Sequence, residues 1–197
     1  MRESSDNPIV TFGKWYEEML KVGGIREPSA MVLSTCNTEN RPSSRVVLLK
    51  KYNDRGFEFF TNFNSRKGRE IAANQYVSLV FDWRTIYRQV RVEGIAEFMD
   101  DWESDAYHIT RPRESQISVL CSQQSMVMPD REEFFRKFEL TKQQLEGKEV
   151  PRPKHWGGVR VVPYLIEFWT DGKHRMHDRK QYSKGSDGTW SYVYLYP

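Results

Sequence analysis

A short stretch of this sequence places two cations where folding alone would not favour them. Asn64 and Ser65 are good helix N-caps, because their side-chain oxygens accept bonds from unpaired backbone N–H groups, and Arg66 and Lys67 follow directly. Since a helix start carries partial positive charge, two cations there are unfavourable unless an anion joins them. Free N–H groups, the helix dipole and two cations together predict a site for a phosphorylated ligand.

A predicted strand over residues 43–50 carries two further cations. Its centre, residues 46–49, is apolar and typical of a buried strand, whereas Arg45 precedes this run and Lys50 ends it. Because side chains alternate along a strand, Arg45 and Lys50 have opposite parity. The two cations are therefore able to serve different ligands.

Near the end of the chain, Arg175, His177 and Arg179 form a second cationic group. If this segment is a strand, the three side chains share one face and repel one another unless an anionic or electron-rich group lies against them. The alternative is a solvated edge strand, whose charges discourage aggregation. Trp169 shortly upstream, together with the phosphate signals elsewhere, favours a ligand site.

Tyr107 and Arg111 are four residues apart and are predicted on one helix face, with Ser115 just beyond the break at Pro112. Two hydroxyls and a planar guanidinium make a sensible phosphate clamp. The alternative is a helix surface on which the tyrosine packs against the arginine.

Two other polar stretches are ambiguous by themselves. In the strand over residues 88–94, Gln89, Arg91 and Glu93 share a face, and an Arg91–Glu93 ion pair is the favoured interpretation. The Gln89 amide remains able to serve a ligand. Residues 122–125, which include Gln124 and Ser125, form a polar loop.

Composition excludes several classes of protein. The 197 residues carry a net charge of +3 and 29% charged side chains, which predicts a globular protein without the basic face of a nucleic-acid binder. Two cysteines do not make a disulfide framework, and no Cys/His spacing matches a metal site. With no signal peptide or membrane-spanning apolar run visible, the expected compartment is the cytoplasm.

The order of elements predicts a β-barrel with peripheral helices, an α+β fold. A single domain is expected over residues 8–197, after a flexible segment over residues 1–7. Helices are predicted from about residue 12 to a stop at Gly23-Gly24, after Ser65, from about residue 100 to before Pro112, and from about residue 129 to 145. Strands are predicted over residues 30–36, 43–50, 57–61, 77–83, 89–98, 159–169, 175–182 and 190–195.

Taken together, these segments resemble the pyridoxine (pyridoxamine) 5′-phosphate oxidase family over nearly the whole chain. Several long motifs occur in the right order, which makes the match specific. They are RVVLLK (45–50), FFTNFNSRKG (59–68), RQVRVEG (88–94), RP with SQ (111–116), QS (124–125), PRPKHWGG (151–158) and RMHDR (175–179).

The resemblance implies an FMN-binding split barrel that forms a homodimer with FMN held between the subunits. The implied FMN contacts, by motif position, are Arg45, Val46, Val47, Leu48, Phe60, Thr61, Arg66, Lys67, Gln89, Gln124, Ser125, Trp169 and Arg179. The implied substrate contacts are Lys50, Tyr107, Arg111 and Ser115 for the phosphate, and Arg175, Met176 and His177 for the ring.

The implied reaction oxidises the 4′ carbon of pyridoxine 5′-phosphate or pyridoxamine 5′-phosphate to give pyridoxal 5′-phosphate. A hydride passes to the flavin, and oxygen then reoxidises the flavin to yield hydrogen peroxide. Arg175 and His177 are the implied catalytic residues: Arg175 holds the substrate against the flavin, and His177 orients it. The flavin supplies the redox chemistry, and the protein supplies orientation and electrostatics.

Rival interpretations remain at this stage. One is a non-catalytic or slow paralogue that holds FMN or pyridoxal phosphate as a carrier or sensor, and Tyr194 stands where the family pattern has a basic residue. Another is a nicotinamide-dependent flavin reductase, which would leave Tyr107, Arg111 and Ser115 without a role. Nucleic-acid binding is the least favoured, and no metal is implied.

Overall fold

The computed structural model describes residues 7–22 and 27–197. Helix α1 begins at Pro8, four residues before the predicted start at about residue 12, because the Asn7 side chain accepts a bond from the Ile9 N–H and Pro8 occupies the first helical turn. The helix ends at Lys21. The predicted stop at Gly23-Gly24 and most of the predicted flexible segment, residues 1–6, lie outside the described residues.

Within the described residues, nine strands form one antiparallel sheet, and five α-helices pack around it. The strand order is β2-β1-β5-β6-β7-β4-β3, with β8 pairing with both β7 and β9. The strands are β1 (Ala30–Cys36), β2 (Pro42–Leu48), β3 (Lys51–Asn53), β4 (Gly56–Asn62), β5 (Tyr76–Trp83), β6 (Arg88–Phe98), β7 (Trp156–Thr170), β8 (Asp178–Lys184) and β9 (Trp190–Tyr194). The helices are α1 (Pro8–Lys21), α2 (Arg66–Ala73), α3 (Asp101–His108), α4 (Arg113–Cys121) and α5 (Arg131–Gln144).

The long strand β7 organises the sheet. Its first part pairs with β4, its last part pairs with β8, and β6 lies alongside most of its length. A register shift between Glu93 and Gly94 marks a bulge, which increases local twist. Gly94 is required there, because a Cβ would lie 2.6 Å from the Val162 carbonyl oxygen. The sheet curls so that β2 also contacts β4, as a barrel requires.

The main core lies between α1 and the concave sheet. Phe12, fully buried, meets Tyr52, Phe57 and Phe81 edge-on, each with ring centroids 4.9 Å apart. Edge-to-face contacts of this kind add to the free energy gained by burying aromatic area. Phe12 therefore fixes α1 across one side of the barrel.

A buried ion-pair network fixes α3 against the sheet. Arg160 of β7 donates to Glu58 of β4 at 3.0 Å and to Glu103 of α3 at 2.8 Å. Burial alone would raise the pKa of Glu103, but its bonds to Arg160 and Arg55 outweigh that effect and lower it. The network holds α3, and the chain that follows it, in a fixed position beside β4 and β7.

The predicted fold class, a β-barrel with peripheral helices, is confirmed, and most strand predictions agree to within three residues. Two predictions were wrong in detail. The strand over residues 43–50 ends at Leu48, and the strand predicted from residue 175 begins at Asp178. Helix α4 was not predicted, because its residues lack a clear apolar period. Among the described helices, none has the length and apolar character needed to cross a membrane.

Replacing Phe12 with alanine should lower the free energy of unfolding by roughly 3–5 kcal/mol, because a buried ring is lost and a cavity remains. The matched control is Val10→Ala on the same helix, where the side chain is 51% exposed and a change within about 0.5 kcal/mol is expected. Urea unfolding curves of both variants measure the difference. Equal effects would show that α1 does not depend on this contact.

Candidate active site

A cavity of about 600 Å³ opens between the first half of the barrel and the α3–α4 region. Strands β2 and β4, helix α2 and the start of β7 contribute to its wall. Its lining is Val46, Val47, Leu48, Lys50, Phe60, Thr61, Asn62, Lys67, Tyr107, Thr110, Arg111, Pro112, Ser115, Ser118, Val119, Ser122, Gln124 and Trp156. Polar and cationic groups therefore share one cavity with aromatic rings.

Lys67 forms one cationic group in this cavity. Its Nζ atom donates to the hydroxyls of Thr61 and Ser65, at 3.1 and 3.3 Å, and to the Gln124 amide oxygen at 3.2 Å. Ser65 is also the N-cap of α2 and accepts the Gly68 N–H. Burial, with a smaller contribution from nearby Arg45, lowers the pKa of Lys67 to about 8. The predicted anion site at the start of α2 thus contains a buried, solvent-shielded ammonium group.

The neighbouring Glu70 carboxylate holds two arginines beside Lys67. It accepts a 2.8 Å bond from Arg66 and a 3.2 Å bond from Arg45. The hydroxyls of Thr35 and Ser43 donate to the same carboxylate. Burial would raise the pKa of Glu70, but these four bonds outweigh it and lower the pKa to about 2. One carboxylate against two guanidiniums and one ammonium leaves this region with two positive charges, which suits a phosphate dianion.

Tyr107 and Arg111 form a second group of polar residues in the cavity. The Tyr107 ring stacks on Phe60 with centroids 3.8 Å apart, and the Arg111 guanidinium lies 4.4 Å above the Trp156 ring. Burial raises the pKa of Tyr107 despite the opposing effect of Arg111, so the phenol stays a proton donor. Helix α3 ends at His108, so Arg111 lies just beyond it rather than on its face as predicted.

The predicted strand face formed by Arg175, His177 and Arg179 is wrong. Lys173–Arg175 form a 3-10 turn in which His174 and Arg175 have φ values of 57° and 64°. A Cβ on Gly172 would lie 1.9 Å from the Met176 carbonyl oxygen, so the chain turns too tightly there for a strand. Arg175 and Met176 are consequently displayed from a turn, and only Arg179 belongs to β8.

His177 and Arg179 are nevertheless held by specific partners. The His177 Nδ1 atom lies 3.2 Å from the Gly172 N–H nitrogen and 3.1 Å from an Asp171 carboxylate oxygen, and its ring lies 4.6 Å from that of Trp169. Arg179 donates to Glu167 at 2.8 Å. Glu167 also lies 3.2 Å from Arg91, so the predicted partner of Arg91, Glu93, was wrong.

The structure thus divides the predicted site residues into groups. Eleven of them line the cavity: Val46, Val47, Leu48, Lys50, Phe60, Thr61, Lys67, Tyr107, Arg111, Ser115 and Gln124. Ser125 lies in an adjoining groove, and Gln89 and Trp169 line a separate small pocket with Asp82 and Arg84. Among the described residues, the cavity lining contains none of the predicted residues from 169 onward.

Sequence reasoning missed Glu70, Asp171 and Trp156. Glu70 carried a local signal, since it stands four residues after Arg66 on the predicted helix. Asp171 had only its nearness to His177. Trp156 stood in the motif of residues 151–158 but was assigned no role, because it reaches the cavity only through the pairing of β7 with β4.

Comparison with known proteins agrees with this site. Residues 17–144 match the family model described as pyridoxamine 5′-phosphate oxidase, and residues 156–197 match the one described as the pyridoxine 5′-phosphate oxidase C-terminal dimerisation region. A protein of Anaplasma phagocytophilum (strain HZ) named pyridoxine/pyridoxamine 5′-phosphate oxidase is 67% identical, covering 98% of this chain and 94% of the relative. One of Ehrlichia ruminantium (strain Welgevonden) with the same name is 52% identical, covering 97% and 98%.

Two solved structures share the fold. PhzG from Burkholderia lata 383, solved with tetrahydrophenazine-1-carboxylic acid, superimposes with a TM-score of 0.92 at 30% identity, covering 99% of this chain and 95% of PhzG. A pyridoxamine 5′-phosphate oxidase-related, FMN-binding protein of Nostoc punctiforme PCC 73102 gives 0.76 at 13% identity, covering 98% and 99%. The fold defines a split-barrel protein. The chain belongs to the pyridoxamine 5′-phosphate oxidase family.

Glu70 should make a pH-dependent contribution to folding stability. Its pKa is lower in the folded protein than in the unfolded chain, so the contribution is present above about pH 4.5 and is lost as the pH falls towards 2. The predicted gap in unfolding free energy between the wild type and Glu70→Gln is roughly 3 kcal/mol near pH 6, narrowing in acid. Glu39→Gln, at an exposed ion pair, is the control and should show almost no gap. A gap independent of pH would refute the assignment.

Proposed function

We propose that this protein is an FMN-dependent oxidase that converts pyridoxine 5′-phosphate and pyridoxamine 5′-phosphate to pyridoxal 5′-phosphate. The observation that carries the proposal is that one cavity contains two separate sets of cationic and hydroxyl side chains, one around Lys67 and one around Arg111, each suited to a phosphate. A flavin nucleotide and a phosphorylated substrate need such a pair of sites side by side. The names of the relatives support the same activity.

The Lys67 group fits the phosphate of FMN. Lys67 and Thr61 supply an ammonium and a hydroxyl, and Gln124 adds an amide beside them. Arg45 and Arg66 stand next to this group on Glu70 and complete its positive charge. Charge-assisted bonds to phosphate are among the stronger hydrogen bonds in proteins. Val46, Val47 and Leu48 continue the cavity wall from there, where a flat ring system would be accommodated.

The second set fits the phosphate of the substrate. Lys50 and Arg111 supply positive charge, while Tyr107 and Ser115 supply hydroxyl donors. Because burial keeps Tyr107 a neutral phenol, it donates a hydrogen bond to a phosphate oxygen rather than repelling it. A flavin reductase acting on a nicotinamide would leave these four side chains without a ligand.

The reaction removes two electrons and two protons from the 4′ position of the substrate. Bound FMN would supply the two-electron acceptor for a hydride from that carbon, and oxygen would take up the two electrons and two protons to become hydrogen peroxide. An alcohol substrate gives the aldehyde directly, and an amine substrate also consumes water and releases ammonia. Arg175 holds the substrate ring, and His177, fixed by Gly172 and Asp171, orients it by hydrogen bonding. Such alignment can remove roughly 7–11 kcal/mol from a barrier.

A second copy of the chain completes the site in this proposal. Trp169, Arg175, His177 and Arg179 lie within the segment that matches a dimerisation region, and none of them lines the cavity of their own chain. In a homodimer, these residues of one subunit would face the cavity of the other. Light scattering of the FMN-loaded protein tests this, since a monomer that retains FMN and full activity would contradict it.

Formation of pyridoxal 5′-phosphate and hydrogen peroxide in air tests the proposed reaction. The FMN-loaded protein should release both products in equal amounts from pyridoxine 5′-phosphate. With pyridoxamine 5′-phosphate it should release one ammonia as well. Binding of either substrate without release of peroxide would favour a carrier or sensor.

Replacing Arg175 with alanine should lower kcat by about 100-fold while FMN stays bound, because the substrate loses its alignment and the phosphate of FMN keeps its contacts. His174→Ala is a matched control, since this residue occupies the same turn with the same left-handed backbone and has no assigned role. Steady-state kinetics and flavin content measure both effects. Normal turnover in Arg175→Ala would remove Arg175 from the catalytic site.

FMN affinity should depend on the protonation of Lys67. Only the charged ammonium binds phosphate well, and its pKa is about 8 before binding, so affinity should be highest about one pH unit below that pKa and fall as the pH rises through it. Between pH 7 and 9 we expect a loss of roughly 5- to 10-fold. Lys67→Arg keeps its charge throughout and should flatten the profile. Flavin-fluorescence titrations at several pH values measure the FMN affinity of both proteins. Identical pH profiles for the wild type and Lys67→Arg would contradict the role of Lys67.

A further inference from the structure

Trp156 lies at the start of β7 and lines the cavity directly below Arg111. We propose that Trp156 is a positioning residue for substrate binding: its indole face holds the Arg111 guanidinium in place for the substrate phosphate without neutralising it. This inference rests on the proposed function and deepens it, because it names what prepares the second phosphate site.

Arg111 differs from Arg45, Arg66 and Arg179 in having no carboxylate partner. Arg45 and Arg66 are paired with Glu70, and Arg179 is paired with Glu167. Within the described part of the chain, no acidic side chain lies within ion-pair distance of Arg111, and its Nη1 atom is buried without a hydrogen-bond partner. A buried guanidinium nitrogen without a partner is costly, so it indicates a site that an anion completes.

The contact that Arg111 does make is with an aromatic face. Its guanidinium carbon lies 4.4 Å from the centre of the Trp156 ring, within the range of a cation–π interaction. Tryptophan is the strongest aromatic partner for a cation, and arginine stacks on it with its planar fork exposed at the edge. The π face therefore restrains the guanidinium while its N–H groups remain available.

Trp156 is itself held rigidly. Its side chain is buried and belongs to an aromatic stack with Phe60 and Tyr107, at centroid distances of 5.5 and 6.3 Å. Its carbonyl oxygen accepts a 2.7 Å bond from Arg152. Arg152 also pairs with two aspartates of α3, Asp101 and Asp105, each at 2.5 Å. The backbone of Trp156 is thus tied to the same helix that leads into Arg111.

The residue behind the indole adds no competing charge. His108 meets the Trp156 ring at 66°, with centroids 5.5 Å apart, and its Nε2 atom lies 3.2 Å from the Val150 carbonyl oxygen. Burial lowers the pKa of His108, and the positive charge of Arg111 lowers it further. His108 is therefore a neutral support, and Arg111 remains the cation that meets the phosphate on this side.

The choice of an aromatic partner has a chemical consequence. A carboxylate in the position of Trp156 would bind the guanidinium strongly. A phosphate dianion would then have to displace that carboxylate or be repelled by it. An indole carries no net charge, so it competes for none of the N–H groups and adds no repulsion. The substrate site is organised before binding, and the positive charge is retained for the phosphate.

The test compares Trp156→Leu, which removes the π face, with Trp156→Phe, which keeps a smaller one. For the FMN-loaded protein, Trp156→Leu should raise the KM for pyridoxine 5′-phosphate by roughly 5- to 30-fold, with kcat and FMN affinity nearly unchanged. Trp156→Phe should recover most of the loss. Phe63→Leu is the matched control, because this ring packs beside Gly157 and on Phe98 but does not line the cavity, so its KM should stay normal.

An unchanged KM in Trp156→Leu, or an equal rise in Phe63→Leu, would overturn the proposal. If Trp156→Leu does not fold, Trp156→Met, which also removes the π face, is combined with Arg111→Ala in a double-variant cycle, in which purely multiplicative effects would refute a shared contact. Titration of the same variants with pyridoxal 5′-phosphate measures binding of the phosphate ester in the absence of turnover. A wild type that binds this ligand but oxidises nothing would refute the proposed function and leave the role of Trp156 to be judged by those titrations.

Discussion

The organisation of this site depends on keeping several cations close together, partly buried and still available to anions. Burial disfavours the charge of Lys67 and lowers its pKa, and nearby Arg45 adds to that cost. The Glu70 carboxylate relieves it by binding both Arg45 and Arg66, yet it leaves two positive charges uncompensated. Unpaired positive charges at close range lower the free energy of unfolding. A phosphate that binds between them removes that repulsion, so the repulsion favours binding of an anion.

Two different physical solutions to the same problem occur within one cavity. Around Lys67, a buried carboxylate and four hydroxyls restrain the cations. Around Arg111, an aromatic ring does so. The scaffold explains why both sets meet: β4 leads from Phe60 and Thr61 to α2, while its partner β7 brings Trp156 alongside. The Arg160 network then fixes α3 against these strands, so that Tyr107 and Arg111 complete the wall.

Local rules predicted much of this arrangement. The N-cap at Ser65 and the cations after it follow from chemistry within a few residues, and the strands of the barrel follow from alternation. The prediction for residues 175–179 failed because parity assumes a strand, whereas Gly172 permits a tight turn with two residues in the left-handed region. The role of Trp156 was not predicted for a different reason. It meets Arg111 only through pairings between strands distant in sequence, and no single segment contains that information.

The central claim is that one cavity holds a flavin nucleotide and a phosphorylated substrate in contact. Mixing the FMN-loaded protein with pyridoxine 5′-phosphate in the absence of oxygen, while recording the flavin absorbance, tests it most directly. We expect saturable bleaching with the phosphate ester and far weaker bleaching with unphosphorylated pyridoxine. When air is admitted, the yellow colour should return and pyridoxal 5′-phosphate should be formed. A flavin that stays oxidised while the ester is demonstrably bound, or that bleaches equally with both compounds, would contradict it.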